Sequence, residues 1–164
     1  MPRITPFLWF DGQAEEAAEL YTGIFPNSKI TAKSYYTDLG PGKPGSVLTV
    51  VFELDGQKMV NLNGGPEFPF TEAISLAVEC KDQQEIDHYW EKLIAGGGQE
   101  VQCGWLKDKF GVSWQVYPEA LEKMETDPDP EKVKRVMAAI FKMKKIDLAR
   151  LEAAYRGDEG ESQG

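Results

Sequence analysis

The chain is poor in the side chains that most often carry chemistry: 164 residues include one histidine and two cysteines. A single histidine excludes histidine-rich zinc or iron sites by count. Any Ser-His-Asp or Cys-His system would have to use His88, and no nucleophile lies near it in sequence. It reads instead as a solvated helix-face residue. Cys80 and Cys103 are far apart with no CxxC, so free thiols are expected rather than a structural disulfide. No GxGxxG follows a strand and no Walker-type loop occurs, so the chain lacks a dinucleotide or S-adenosylmethionine fingerprint. No apolar segment is long enough to span a bilayer, and the start of the chain lacks the pattern of a signal peptide. A cytoplasmic location with no membrane partner is therefore expected. Basic residues are also in deficit, 18 against 27 acidic, for a net charge of −9. That balance argues against a nucleic-acid partner, which needs a concentrated basic surface. The deficit is uneven: residues 131–156 are basic while the body is acidic. Such a tail is expected to dock on its own body or on a second subunit.

What the chain does contain is the same pattern twice. Ile4–Phe10 reads as a strand, with Pro6 restricting it to a sheet edge. Asp11 is placed to cap the following helix, whose Ala14, Ala17, Tyr21 and Ile24 recur at helical spacing. Lys29–Thr37 reads as a strand, 39–45 as a loop, and Val47–Leu54 with Gln57–Leu62 as a hairpin around Asp55-Gly56. The segment Asn63–Phe70 is the hinge. The second copy opens with a strand at Ile74–Cys80. Its helix is announced by the capping box Asp82/Glu85 and carries the stripe Ile86, Tyr89, Trp90 and Leu93. Val101–Leu106 and Val112–Tyr117 then pair. A helix is expected over Glu131–Met143, and Asp147 is placed to cap a last one.

The domain reading is a first βαβββ repeat at 1–63 and a second at 64–118. A helical extension at 119–156 and a disordered tail at 157–164 complete it. The fold class is α+β: two repeats forming a cupped, mixed, mainly antiparallel sheet around a cavity, with C-terminal helices. A single repeat cannot bury both faces of its sheet, so two are expected to enclose a hollow where a ligand sits.

The candidate site residues are polar or aromatic groups on strands. Asn61 and Asn63 point to one side of their strand. Gln115 lies inside the last strand and Ser75 begins the fifth. A buried amide needs partners, so Gln115 either ties strands together or presents a donor and an acceptor to a ligand. Trp9, Trp105 and Trp114 either line an apolar pocket or belong to the core. Cys103, near Lys107 and Lys109, is either a thiol of lowered pKa or a small buried hydrophobe. Glu79 reads as a solvated strand end.

The stretches FLWFDGQAEEAAELY, NGGPEFPF, CGWLKDKFGVSWQVYP and FKMKKIDLARLEAAY resemble the PhnB-like branch of the vicinal oxygen chelate superfamily. That superfamily is the glyoxalase, bleomycin-resistance and extradiol-dioxygenase group. Members of the branch carry the label 3-demethylubiquinone 3-methyltransferase. The resemblance spans residues 4–156. It implies facing cups around a cavity and a homodimer in which strands or repeats are exchanged between chains. It also implies a divalent metal held by His, Gln and Glu at inward strand positions. Here those positions read Thr5-Pro6, Ser75 and Gln115, so no metal and no cofactor are expected. The function expected is small-molecule binding of the resistance-protein type in a metal-poor cavity. The alternative is an enzyme: a metal-dependent lyase, isomerase or dioxygenase, or the methyltransferase of the family label.

Overall fold

The computed structural model describes residues 3–158 and divides the chain into two compact units, 1–70 and 71–164. The first unit contains β1 (Phe7–Phe10), α1 (Ala14–Ile24), β2 (Lys29–Tyr35), β3 (Val47–Leu54) and β4 (Gln57–Asn63), in the sheet order β1-β4-β3-β2. β1 runs parallel to β4, and the other pairs are antiparallel. The strand following Pro6 is an edge strand, where a missing N–H breaks no central ladder. Asp55 (φ 46°) and Gly56 (φ 85°) are both left-handed, as the type I′ turn between β3 and β4 requires. Ala14, Ala17, Ala18 and Tyr21 of α1 are fully buried, and the helix packs on β3 and β4. Three alanines on that face let the helix backbone approach the sheet closely.

The expected cap of α1 is replaced by a tertiary one. Gln13, not Asp11, is the N-cap residue, and it makes no side-chain capping bond. The Ala14 N–H instead donates to Asn63 Oδ1 at 2.9 Å. A donor at a helix start needs an acceptor, and the end of β4 supplies it.

The second unit repeats the plan. β5 (Leu76–Cys80), α2 (Gln83–Ile94), β6 (Gln99–Glu100), β7 (Trp105–Lys107) and β8 (Ser113–Pro118) form a sheet in the order β5-β8-β7-β6. Again the first and last strands are parallel. Asp82 accepts from the Glu85 N–H at 2.9 Å, and Glu85 returns to the Lys81 N–H at 2.9 Å. The buried stripe of α2 is Ile86, Trp90 and Leu93, with Tyr89 half-buried and His88 exposed.

The strand expected over Val101–Leu106 begins only at Trp105. Before it, Cys103 (φ 62°) and Gly104 (φ 81°) make a turn. Their N–H groups donate to the carbonyls of Met143 and Lys144, each at 2.8 Å. The turn thus finds its acceptors in the C-terminal extension and not in a neighbouring strand. Gly104 is required there: a Cβ would lie 2.9 Å from the Val116 carbonyl oxygen.

That extension is α3 (Ala120–Glu125), α4 (Pro130–Ile140) and α5 (Leu148–Arg156). Helix α4 stops three residues before the expected Met143, because Lys142 and Met143 turn back onto the carbonyls of Ala139 and Ile140. Met124, Val136, Ile140, Met143, Ile146 and Leu151 form a core of their own, with Cys103 and Tyr117 packed against it. The basic tail docks on its own unit. Lys145 pairs with Asp87 at 2.7 Å, and Gln83 donates to the Ile146 carbonyl while accepting from the Leu148 N–H. Where the tail was expected to begin, Gly157 ends α5 at φ 83°, and the Asp158 N–H reaches the Ala153 carbonyl. The rest of that tail lies outside the described residues.

Candidate functional site

Side chains along β8 alternate between the two faces of its sheet. Trp114 and Val116 share one face with Leu106, and all three are buried. This is the face on which α2 packs. Ser113, Gln115 and Tyr117 share the other. Strand register puts Trp105 and Ala77 beside Gln115, and Lys107 beside Ser113. The second face therefore gathers an amide, a hydroxyl, an indole and an ammonium.

These groups are partly joined. Gln115 Nε2 donates to Ser75 Oγ at 2.8 Å. The Lys107 ammonium meets the Glu72 carboxylate in a close ion pair. A hydrogen bond from Lys107, then one from its own backbone, holds the Glu72 carboxyl below the usual carboxylate range. Ser113 is 2% exposed, and its Oγ has no hydrogen-bond partner. Glu79, also on this face, is exposed.

Trp114 belongs to the core, not to this face. Its Nε1 donates to Asp108 Oδ2 at 3.0 Å, while Oδ1 of the same carboxylate accepts from the N–H groups of Phe110 (2.9 Å) and Val112 (3.0 Å). Asp108 is 3% exposed, and these donors satisfy carboxyl oxygens that burial has cut off from water. This residue was not singled out in the sequence. The signal was present in the run Asp108-Lys109-Phe110-Gly111, because an aspartate accepting from the N–H two residues on makes an Asx turn. Cys103 lies away from the face, half-buried against the C-terminal core.

In the first unit Asn61 and Asn63 point toward α1. Asn61 is fully buried and donates from Nδ2 to the Ala14 carbonyl at 3.1 Å. Asn63 caps Ala14 and donates from Nδ2 to the Val47 carbonyl at 3.1 Å. Both amides tie helix to sheet. Trp9 donates from Nε1 to the Gly65 carbonyl at 2.8 Å and meets Phe68 edge-on at 4.9 Å. Gly64 lies against its ring so closely that a Cβ would sit 2.3 Å away. Beside these residues opens a cleft of about 520 Å³ lined by Gly12, Glu15, Tyr36, Asn63 and Glu67 among others. Part of its polar lining is already engaged: Tyr36 donates its hydroxyl proton to the Asn63 carbonyl, and Glu15 pairs with Lys33.

The sequence-predicted residues thus fall into separate places. Ser75, Gln115 and Trp105 share a face of the second sheet. Asn61, Asn63 and Trp9 support the first unit, while Trp114 and Cys103 belong to packing in the second.

A divalent metal, which the resemblance implies, does not fit the residues at its positions. Ser75 and Gln115 are neutral, bonded to each other, and bring no charge to a hard dication. Among the described residues no group of three His, Cys, Asp or Glu side chains stands close enough to hold an ion.

Residues 2–117 match the model of a family described as 3-demethylubiquinone-9 3-methyltransferase. A solved PhnB protein from Bacillus cereus, described as a putative 3-demethylubiquinone-9 3-methyltransferase, is 40% identical. It has a TM-score of 0.65, and the match covers 71% of this chain and 99% of that one. A Pseudomonas aeruginosa protein matches at 19% identity and TM-score 0.60, over 73% of this chain and 98% of that one. The fosfomycin resistance protein FosX of Listeria monocytogenes, solved with Mn(II) and sulfate, matches at 18% identity and TM-score 0.52. That match covers 76% of this chain and 94% of FosX. The last two likenesses concern the fold alone. No curated protein matches. Helices α3–α5 lie beyond the family match, which takes in the two βαβββ units before them. On that match, and on 40% identity across nearly the whole of the Bacillus protein, this chain belongs to the PhnB-like 3-demethylubiquinone-9 3-methyltransferase family of the vicinal oxygen chelate superfamily.

Proposed function

We propose that the protein binds a small organic molecule without a metal, on the face of the second sheet that carries Gln115, Ser75 and Trp105. The observation that supports this reading most is the neutral Gln115–Ser75 pair. It occupies the strand positions where the superfamily resemblance places metal ligands. In this reading Trp105 supplies contact area, and the amide fixes orientation through one donor and one acceptor. The functional unit is a homodimer in the cytoplasm, and repeats are exchanged between chains.

Elemental analysis of the purified protein, paired with ligand-observed NMR on a small-molecule library before and after chelator, tests the proposal. Less than stoichiometric divalent metal and chelator-insensitive binding are expected. One tightly held ion per chain, with binding lost to chelator, would overturn it. The family's descriptive name supplies the second reading, a transferase. Adding S-adenosylmethionine to the same samples decides it, since a transferase would bind the donor and turn over.

A further inference from the structure

The function proposed above leaves the chemical class of the ligand open, and the polar groups around Gln115 narrow it. Four observations meet on one face. Lys107 stands in register with Ser113, and Trp105 with Gln115. The Lys107 side chain is about one-third exposed (32%), and its ion-pair partner, Glu72, is more exposed still at 58%. Ser113 Oγ is buried with no hydrogen-bond partner. Ser75 Oγ accepts from Gln115 and keeps its own proton to donate. Toward Lys107 the face therefore offers an ammonium, the Ser75 hydroxyl and an amide N–H, while the Glu72 carboxylate is already bound to the ammonium. At its Lys107 end the face thus presents donors beside an ammonium, the complement of an oxyanion, while the exposed Glu79 lies at the opposite, Tyr117 end.

Resting on that binding reading, we infer that the face takes a small anionic ligand whose carboxylate, or an equivalent oxyanion, displaces Glu72 from Lys107. The ligand's apolar body lies along Trp105. Lys107 thus provides the positive charge that a divalent metal would otherwise bring to such a site, and Glu72 holds it in place until a ligand arrives. The exchange is physically cheap in one direction only. A solvent-exposed ion pair contributes little net free energy, so its carboxylate yields readily to a competitor that also buries apolar surface. A neutral ligand has nothing to exchange for the pair.

The test uses the full-length chain and three probes of one shape: benzoate, benzamide and benzylamine. Binding is followed by titration calorimetry and by tryptophan fluorescence. Benzoate is expected to bind at least about tenfold more tightly than benzamide, equivalent to about 1.4 kcal/mol, and benzylamine is expected not to bind. Lys107→Met should abolish the preference for benzoate over benzamide. Glu72→Gln should tighten benzoate about two- to fivefold by freeing the ammonium, on the scale of an exposed pair. Circular dichroism establishes that each variant is folded, and the exposed Glu72 supplies a second variant should Lys107→Met destabilise the sheet.

Equal affinity for benzoate and benzamide, or no gain in Glu72→Gln, overturns the inference. In that case chelator-insensitive binding of either probe, weakened by Gln115→Ala, leaves the metal-free binding reading standing. Failure of all three probes to bind overturns the anion inference, and the library screen then decides the binding reading separately.

Discussion

Replacing Asp108 should separate two ways in which a buried carboxylate holds this fold. Its two oxygens accept from the Phe110 and Val112 N–H groups and from Trp114 Nε1. In Asp108→Ala all three donors lose their acceptor. The Val112 N–H and the Trp114 indole are buried, so each costs about 1–3 kcal/mol when orphaned, whereas the Phe110 bond is only partly buried. The expected loss is roughly 2–6 kcal/mol, a large share of the ~5–15 kcal/mol typical of a domain. Asp108→Asn preserves shape and keeps a carbonyl oxygen for the turn. It then presents an NH2 group to the indole N–H, so the expected cost is about 1–3 kcal/mol. Urea unfolding at pH 7, followed by far-UV circular dichroism, measures both values. Near-UV spectra report whether Trp114, and with it the strand carrying Gln115, has shifted. If alanine costs less than about 1 kcal/mol, or asparagine costs as much as alanine, the three-donor account is wrong.

Gly64→Ala should destabilise the first unit by about 1–3 kcal/mol, because the new methyl would sit 2.3 Å from the Trp9 ring; thermal unfolding and Trp9 fluorescence check it. Ile146→Ala, at a fully buried position, should cost about 2–5 kcal/mol and loosen the Cys103–Gly104 turn, read by faster amide exchange there. Burial, with Glu85 and Asp82 nearby, pushes the Cys80 thiol up to about 12, so iodoacetamide at pH 8 should label half-buried Cys103 first and Cys80 only after unfolding, as read by peptide mass spectrometry. Hydrogen bonds from Lys145 and then Gln83 hold the Asp87 carboxyl below its ordinary value. A depressed folded value adds stability above the unfolded pKa, and that stability is lost as pH falls through the folded one. Lys145→Met should therefore be less stable than the parent near neutrality, with the gap closing in acid; urea midpoints from pH 7 down to pH 2 measure it.

The duplicated architecture was legible because its signals are local. An Asp-Gly hairpin turn, an Asp82/Glu85 capping box and apolar residues at helical spacing each follow from a few neighbouring side chains. Pro6 marked an edge strand for the same kind of reason, since a missing N–H has a direct consequence in any sheet. Even the basic tail announced itself through charge, and Lys145 meets Asp87 as an acidic body would suggest.

What the sequence could not decide was which partner each polar group finds. Asn61 and Asn63 alternate correctly for one face, yet only the position of α1 above β4 makes them its anchors. Asp11 looked like a cap until Asn63 arrived from across the sheet. The Cys103–Gly104 turn replaces a strand because carbonyls some forty residues downstream accept its N–H groups. Trp105 and Trp114 are equally aromatic in sequence, but strand alternation puts one on the face that carries Gln115 and buries the other against Asp108. Spacing along the chain determined the elements, since backbone preferences and capping act within a turn or two. Packing determined the site, because a buried donor or acceptor takes whichever partner the tertiary structure brings within reach.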